Sequence, residues 1–418
     1  MAQLSDDCFA FGGPMMTVDE TVSLIAARLQ PLAGIEAVPL AEADGRILAA
    51  DLVAPMPLPP FANSAVDGYA IRSADLPQEA ELRFAIGGRV QAGSRSAEAV
   101  QPGEAARIFT GAPMPGGADT VFMQEDVRVE PDGAVLLPAG LKPGANMRPA
   151  GEDVTTGAIV LCSGRRLRPQ DIAMAAALGQ VELTVRRPVR VAIFSTGNEI
   201  VAPGAERAAS QLFDSNRFML MAMLRRLGCA VSDLNILPDD REVISATLRA
   251  AARDHDLVLT SGGVSTGEAD FVKDAVEGTG RMVFWRIAIK PGRPVAMGVI
   301  DGTPLIGLPG NPVASFVTFA HVARPAILAL AGAEPEATVA TPVRAAFAYR
   351  KKLGRREYVR ASLRCAADGT LEVQKFPREG AGLLSSLVDT DGLVELGEDV
   401  VAVAPGETVG FIPYASLF

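Results

Sequence analysis

The stretch DLVLTSGGVSTGEAD, residues 256–270, decides how this chain folds, because a short apolar strand runs straight into a loop of glycine, hydroxyl and carboxylate residues. Residues 256–260 suit a buried strand and are too few for a helix. Gly262 and Gly263 let the backbone approach a ligand, while Ser261, Ser265 and Thr266 offer neutral donors and acceptors. Helical spacing over 271–277 makes Asp270 an expected N-cap, with the helix's positive end facing the loop. Two further units repeat the scheme. Residues 283–289 deliver KPGRP (290–294), with Lys290 and Arg293 on a turn stiffened by prolines. Residues 304–308 end in PGNPV (309–313), where Pro309 and Gly310 lead to Asn311 as N-cap and Pro312 at the first helical position. Anions favour helix N-termini with free amides, so two of the three loops read as sites for phosphate or another tetrahedral oxyanion.

Upstream, strand and helix alternate from residue 188. A strand at 189–194 ends in STGNE (195–199), DSNR (214–217) opens a helix to 227, and a strand at 230–237 ends in PDD (238–240) before a helix through 253. That succession implies a doubly wound, mostly parallel α/β domain with helices on both faces, whose ligands bind beyond the carboxyl ends of the strands near a switch in strand order. Glu199, Asp239, Asp240, Glu268, Asp270 and Lys290 would all open on that edge. One acidic loop is a solvated face; several converging with glycines and cations point to a site.

Further out, TVDE (17–20) has capping-box spacing before a structural helix. Prolines at 55, 57, 59 and 60 lead into FANSAVDGYA (61–70), where Asp67 on local grounds reads as an Asx turn opening a hairpin, ahead of a site. Short strand-like runs between 83 and 149 suggest a β domain containing the long loop TGAPMPGGAD (110–119). A helix at 170–178 stopped by Gly179 suggests a split domain shared with the N-terminal helix. Runs at 343–349, 358–364, 371–376, 382–386 and 393–396, with the hairpin signal Asp368-Gly369, read as a C-terminal β barrel or sandwich. The expected domains are 1–50 with 150–186, 51–149, 187–332 and 333–418. The basic cluster 350–356 with Arg360 reads as solvent-facing charge that an anionic substrate tail could use.

Composition limits the chemistry. At 418 residues the chain needs several cores, and its net charge of −10 argues against nucleic acid as a partner. Four scattered cysteines without CxxC, and no signal-peptide pattern at the acidic start, point to a reducing cytoplasm. The apolar window 313–333 is broken by His321, Arg324 and Pro325, so it reads as a buried helix and no membrane is expected. Two histidines beside no nucleophile pattern argue against a Ser/His/Asp hydrolase, and HExxH, GxxxxGK[ST] and GxGxxG are absent. What remains is carboxylates for a hard cation, most simply Mg²⁺, with cations and helix ends for oxyanions, a set suited to transfer at a phosphate or anhydride.

Eight stretches in order resemble the MoeA family of molybdopterin molybdenumtransferases, relatives of the C-terminal part of gephyrin: PPFANSAVDGYA (59–70), IFTGAPMPGGAD (108–119), RPAGED (148–153), STGNE (195–199), FDSNR (213–217), TSGGVSTGEADF (260–271), IKPGRP (289–294) and GLPGNPVAS (307–315). The resemblance implies an enzyme that takes adenylated molybdopterin and molybdate with Mg²⁺ and yields molybdenum cofactor and AMP. A molybdopterin adenylyltransferase would be its upstream partner. It implies roles in activity or binding for Asp67, Thr110, Asp153, Glu199, Asp239, Asp270, Lys290 and Arg293, with Asp239 and Asp270 as Mg²⁺ ligands and Lys290 and Arg293 holding phosphate or molybdate. Pro309 and Pro312 would shape the neighbouring loop. Because the dithiolene sulfurs belong to the substrate, no cysteine ligand is required.

The resemblance further implies an elongated homodimer in which Asp67 and Thr110 face the α/β crevice of the other subunit. Three departures stand out: Arg286 where lysine is common, Ala62 for a frequent acidic residue and Asn198 for a frequent aspartate. Arg286 matters most, since a planar fork does not replace a point charge in the same geometry. Adenylation of molybdopterin, known for relatives built on the α/β domain alone, and a gephyrin-like scaffold are the alternatives.

Overall fold

The computed structural model describes residues 15–94, 98–263, 272, 276, 280–336 and 338–418, with the side chains of 280–286 and 294 outside that description. The chain forms two compact units. One comprises Met1–Ala50, Ser163–Arg168 and Leu183–Phe418, the other Asp51–Cys162 and Pro169–Glu182.

In the first unit, a six-stranded sheet runs in the order Ala230–Leu237, Arg190–Thr196, Leu257–Ser261, Thr303–Leu308, Pro294–Ile300, Gly280–Arg286. The first four strands are parallel. Pro294–Ile300 is antiparallel to both its neighbours, so Gly280–Arg286 again points the same way as the first four. Side chains alternate across the sheet: Val191 and Ile193 join the core with Leu220, Leu224 and Phe316, while Ala192 and Phe194 join Ile244 and Leu248 on the opposite face. Strand order reverses beside Arg190–Thr196, whose successors in the chain lie on either side of it. A crevice therefore opens between its carboxyl end and that of Leu257–Ser261.

The helix Pro312–Ala331 is long and apolar enough to cross a membrane by length and composition, yet 89% of its most apolar window is buried, as expected of a core helix. A π-helical turn, Phe319–Ala323, interrupts it, and Gly332 ends it in the left-handed conformation at φ 74°. Val18–Arg28, started by the expected capping box between Thr17 and Glu20, packs on its second half.

The strands Arg356–Cys365, Leu371–Lys375, Thr341–Ala345, Thr408–Pro413 and Gly392–Leu396 pair in that order, and the last closes back on the first as a five-stranded barrel. The Asp368-Gly369 hairpin is where its sequence places it.

The second unit is built on a sheet in the order Thr120–Met123, Gly68–Ile71, Glu104–Ile108, Leu82–Val90, Val135–Leu137, Arg128–Val129, with the helix Pro169–Ala177 stopped at Gly179.

Four local expectations give way. Residues 343–349 do not make one strand: Thr341–Ala345 stays in the barrel and Tyr349–Arg350 pairs elsewhere, with Ala402–Val403. Ser385–Val388 is a short helix rather than a strand, because Ser386 Oγ turns back to the Leu383 carbonyl at 2.6 Å. Pro294, read as the end of a turn, instead opens a full strand, Pro294–Ile300, over residues that carried no assignment. The segment 283–289 divides between two sheets: Gly280–Arg286 stays in the α/β sheet, and Ile289–Lys290 runs parallel to Arg356–Cys365. A mostly apolar run of strand-forming residues carries no mark of the point where the chain leaves one sheet for another.

Candidate functional site

The described loops at the carboxyl edge of the α/β sheet converge, while Glu268, expected among them, lies outside the described residues. Thr196 Oγ1 donates to Asp239 Oδ1 at 2.6 Å and the Asn198 amide to Oδ2 at 3.1 Å, joining the ends of two neighbouring strands. Glu199 follows on the same loop, its carboxylate folded over Gly197, where a Cβ would come within 2.5 Å of Oε2. Across the crevice, Asn216 at the start of a helix donates through Nδ2 to Ser261 Oγ at 2.9 Å and to the Gly310 carbonyl at 2.7 Å. One side chain thus ties the SGG and PGN loops together. Gly262 and Gly263 both have positive φ, and a Cβ on Gly263 would stand 2.4 Å from Thr196 Cγ2, so the closeness of the two loops depends on glycine there. Among the described residues Asn216 Oδ1 and Ser195 Oγ are buried without a partner, which leaves acceptor capacity for a ligand.

Ser265 and Asp270 lie outside the described residues, as does the Arg286 side chain. Asn311 occupies the N-cap position ahead of Pro312, but its side chain makes no capping bond; it lines a cavity instead.

That cavity, about 360 Å³, lies between the α/β sheet and the barrel, within the first unit. Lys290, Arg293, Pro309, Asn311 and Arg360 all line it, so five expected binding residues from three separated segments meet there. The basic cluster is a solvated face only in part: Arg350 and Lys352 are exposed, as expected, but the other cations are not. Lys351 is buried and donates to the Val400 carbonyl at 2.6 Å, and Arg356 bridges Asp19, Glu395 and Glu398. Arg360, 9% exposed, donates to Ser386 Oγ at 3.0 Å and to the Gly380 carbonyl at 3.1 Å, and burial depresses its pKa. Among the described residues no carboxylate lies within 4.0 Å of it, so it is a buried cation that makes no ion pair; the charge of Glu379, on the same cavity wall, reaches it only from further away.

Two residues of this wall were absent from the sequence reading. Glu357 is buried and accepts from Tyr349 Oη at 2.8 Å, Lys290 Nζ at 3.1 Å and Arg355 at 2.7 Å. Burial opposes its ionisation, yet the bonds from Tyr349, Arg355 and Lys290 prevail and hold its pKa below the ordinary value. A signal existed: alternation puts Glu357 in register with the core residues Val359 and Ala361, an unusual place for a lone carboxylate.

In the second unit, Asp67 makes no Asx turn. Its Oδ1 accepts from the backbone N and the Oγ1 of Thr110, both at 2.8 Å, bringing together two expected residues 43 apart in sequence. Those two bonds, with Arg107 nearby, lower its pKa. Local composition could not show this, because the partner arrives through the pairing of Gly68–Ile71 with Glu104–Ile108. Asp153 is exposed on a neighbouring segment anchored by its backbone N to the Leu58 carbonyl at 3.0 Å.

The described residues contain no group of three or more His, Cys, Asp or Glu side chains able to hold a metal ion. Asp239 with Glu199 is a sparse carboxylate set, of the kind that suits a Mg²⁺ ion ligated largely by water and substrate phosphate.

Comparison with known proteins agrees with this architecture. Three family models match in succession: the MoeA N-terminal region (domain I and II) over residues 16–179, a probable molybdopterin binding domain over 192–329, and the MoeA C-terminal region (domain IV) over 342–414. The chain is 38% identical to molybdopterin molybdenumtransferase of Haemophilus influenzae, covering 96% of this chain and 100% of the relative. It is 36% identical to molybdopterin molybdenumtransferase 2 of Mycobacterium tuberculosis, covering 94% and 98%. Among solved structures, the molybdopterin biosynthesis MoeA protein of Pyrococcus horikoshii OT3 superposes with a TM-score of 0.82 at 31% identity, covering 96% and 100%.

Proposed function

The chain belongs to the MoeA family and so is a transferase of molybdenum cofactor biosynthesis, and from that premise we propose that it inserts molybdate into adenylated molybdopterin with Mg²⁺-dependent release of AMP. The observation that carries this reading is Arg360, a buried cation that makes no ion pair among the described residues and lines the same cavity as Lys290. A tetrahedral dianion supplies the missing charge and accepts from both side chains, whereas a neutral ligand would leave the buried guanidinium uncompensated.

Each part of the chain then has a task. Lys290, Arg293 and Arg360 bind and orient the oxyanion. The Ser261–Gly262–Gly263 loop and the Gly310 loop, joined by Asn216, receive the molybdopterin end of the substrate, and the buried Asn216 Oδ1 accepts from one of its N–H or O–H groups. Asp239, with Asp270, would hold Mg²⁺, which would supply charge neutralisation at a phosphoanhydride. Asp67, kept ionised by Thr110, accepts hydrogen bonds and orients a proton-bearing group rather than acting as an acid. Asp153 and Glu199 complete the set of carboxylates, and Arg286 adds a further cation. The protein works as a homodimer in the cytoplasm, downstream of a molybdopterin adenylyltransferase.

The test is AMP release from adenylated molybdopterin and Mg²⁺, with and without molybdate. Molybdate-dependent release in the wild type, reduced at least about a hundredfold in Arg360→Ala, is the expected result; a buried charged donor to an oxyanion is worth about 3 kcal/mol or more. Formation of the adenylated intermediate from ATP and molybdopterin would instead establish the adenylyltransferase. Binding of the intermediate without consumption would make the chain a carrier or scaffold.

A further inference from the structure

We infer that Tyr349 and Glu357 are positioning residues for Lys290, turning a mobile ammonium into a single directed donor at the wall of the cavity; this rests on the reading of that cavity as the oxyanion site. A lysine head is a point charge on a four-carbon stem that freely changes direction. The Lys290 side chain is 41% exposed, so burial alone does not hold it. It is held first through the backbone, because Ile289–Lys290 pairs with Arg356 and Glu357 as a short added strand on the barrel. The tip is then fixed twice, by Glu357 Oε2 at 3.1 Å and Tyr349 Oη at 3.3 Å.

An ammonium has three N–H donors and no acceptor, so two commitments leave one for a ligand. Glu357, at 1% exposure, cannot turn away, and Tyr349 Oη donates to the same Oε2 at 2.8 Å, closing a triangle of three polar groups. Lys290 Nζ also stands 5.8 Å and Lys375 Nζ 5.9 Å from the centre of the Tyr349 ring, so one aromatic side chain holds two cations at the same cavity. Glu357 lowers the net positive charge near the ligand, and the triangle fixes direction in return. Geometry therefore predicts a loss of oxyanion affinity when either member is removed, although removing Glu357 makes the cavity more positive.

Calorimetric titration of molybdate into purified wild-type protein and the Tyr349→Phe, Lys290→Met and doubly substituted variants tests this, with the KM for molybdate in AMP release as the kinetic counterpart. Tyr349→Phe keeps the ring and removes one hydrogen-bonding group. It is expected to weaken molybdate binding and raise its KM about fivefold while kcat stays within about twofold, the size of one hydrogen bond. In the Lys290→Met background the same substitution should change nothing more. An undiminished effect in that background, or wild-type affinity in Tyr349→Phe, overturns the inference while leaving the cavity's role intact. If wild type and Lys290→Met bind molybdate equally, or neither binds it, the reading of the cavity falls and the inference with it. Glu357→Gln, should it stay folded by its thermal melt, is expected to weaken binding too, and tighter binding there would show that charge outweighs direction and overturn the role assigned to Glu357.

Discussion

His321 sits on the π turn of the core helix with its ring stacked on Tyr358 at 3.9 Å, and its Nε2 is buried without a partner among the described residues. Burial, reinforced by the charges of Arg356 and Arg324, lowers its pKa to about 3. The unfolded chain therefore takes up a proton below about 6.5 that the folded chain refuses until about 3, so stability is lost as pH falls through that window. The loss reaches at most about 5 kcal/mol at the lower end. His321→Phe keeps a stacking ring and removes the titration. Urea melts between pH 7 and 4 should show the wild type losing stability relative to the variant by up to about 1.4 kcal/mol per pH unit below 6.5; parallel curves would show that the ring is already protonated or accessible. The sequence identified His321 only as an interruption in an apolar window, since its burial and its stacking partner come from elements far along the chain.

At the scale of elements, the KPGRP segment shows what spacing can and cannot convey. Its prolines and cations marked it as a stiff, charged turn, and it lines the cavity as expected. Its attachment to a barrel strand was invisible, because that pairing is with residues 67 positions later. Gly292, with φ 111°, lies so close to the helix that a Cβ would stand 2.1 Å from Thr318 Oγ1 and 3.2 Å from the Ala314 carbonyl. Gly292→Ala is expected to cost about 2 kcal/mol or more, combining the left-handed backbone with the clash, and to weaken molybdate binding by displacing Lys290 and Arg293. A chemical denaturation midpoint and affinity both equal to wild type would show that the turn relaxes without consequence. The helix Arg241–Asp254 is a simpler case, with Asp240 accepting from the amides of Glu242 and Val243 at 2.9 and 3.0 Å as its N-cap.

For the whole molecule, the expected site residues are divided between two compact units: Asp67, Thr110 and Asp153 in one, the crevice and cavity in the other. The homodimer proposed on family resemblance has Asp67 serving the crevice of its partner. A mixture of Asp67→Asn and Asp270→Asn chains should then regain up to about a quarter of wild-type activity as heterodimers form, whereas mixed dimers no more active than either parent would place both residues in one protomer's site. The sequence by itself determined the alternating strands and helices of the α/β domain from 189 to 261, the edge on which their loops open, and the family, but not the strand Pro294–Ile300. Periodicity, turn residues and capping are local, and eight motifs in order leave little room for another assignment. Only the tertiary structure decided which charges are buried, that Asp67 is bound by Thr110, that Arg360 makes no ion pair among the described residues, and that Glu357 and Tyr349 contact Lys290. Burial and pairing between distant segments depend on which strands become neighbours, a property of the packed chain that no short window of residues contains.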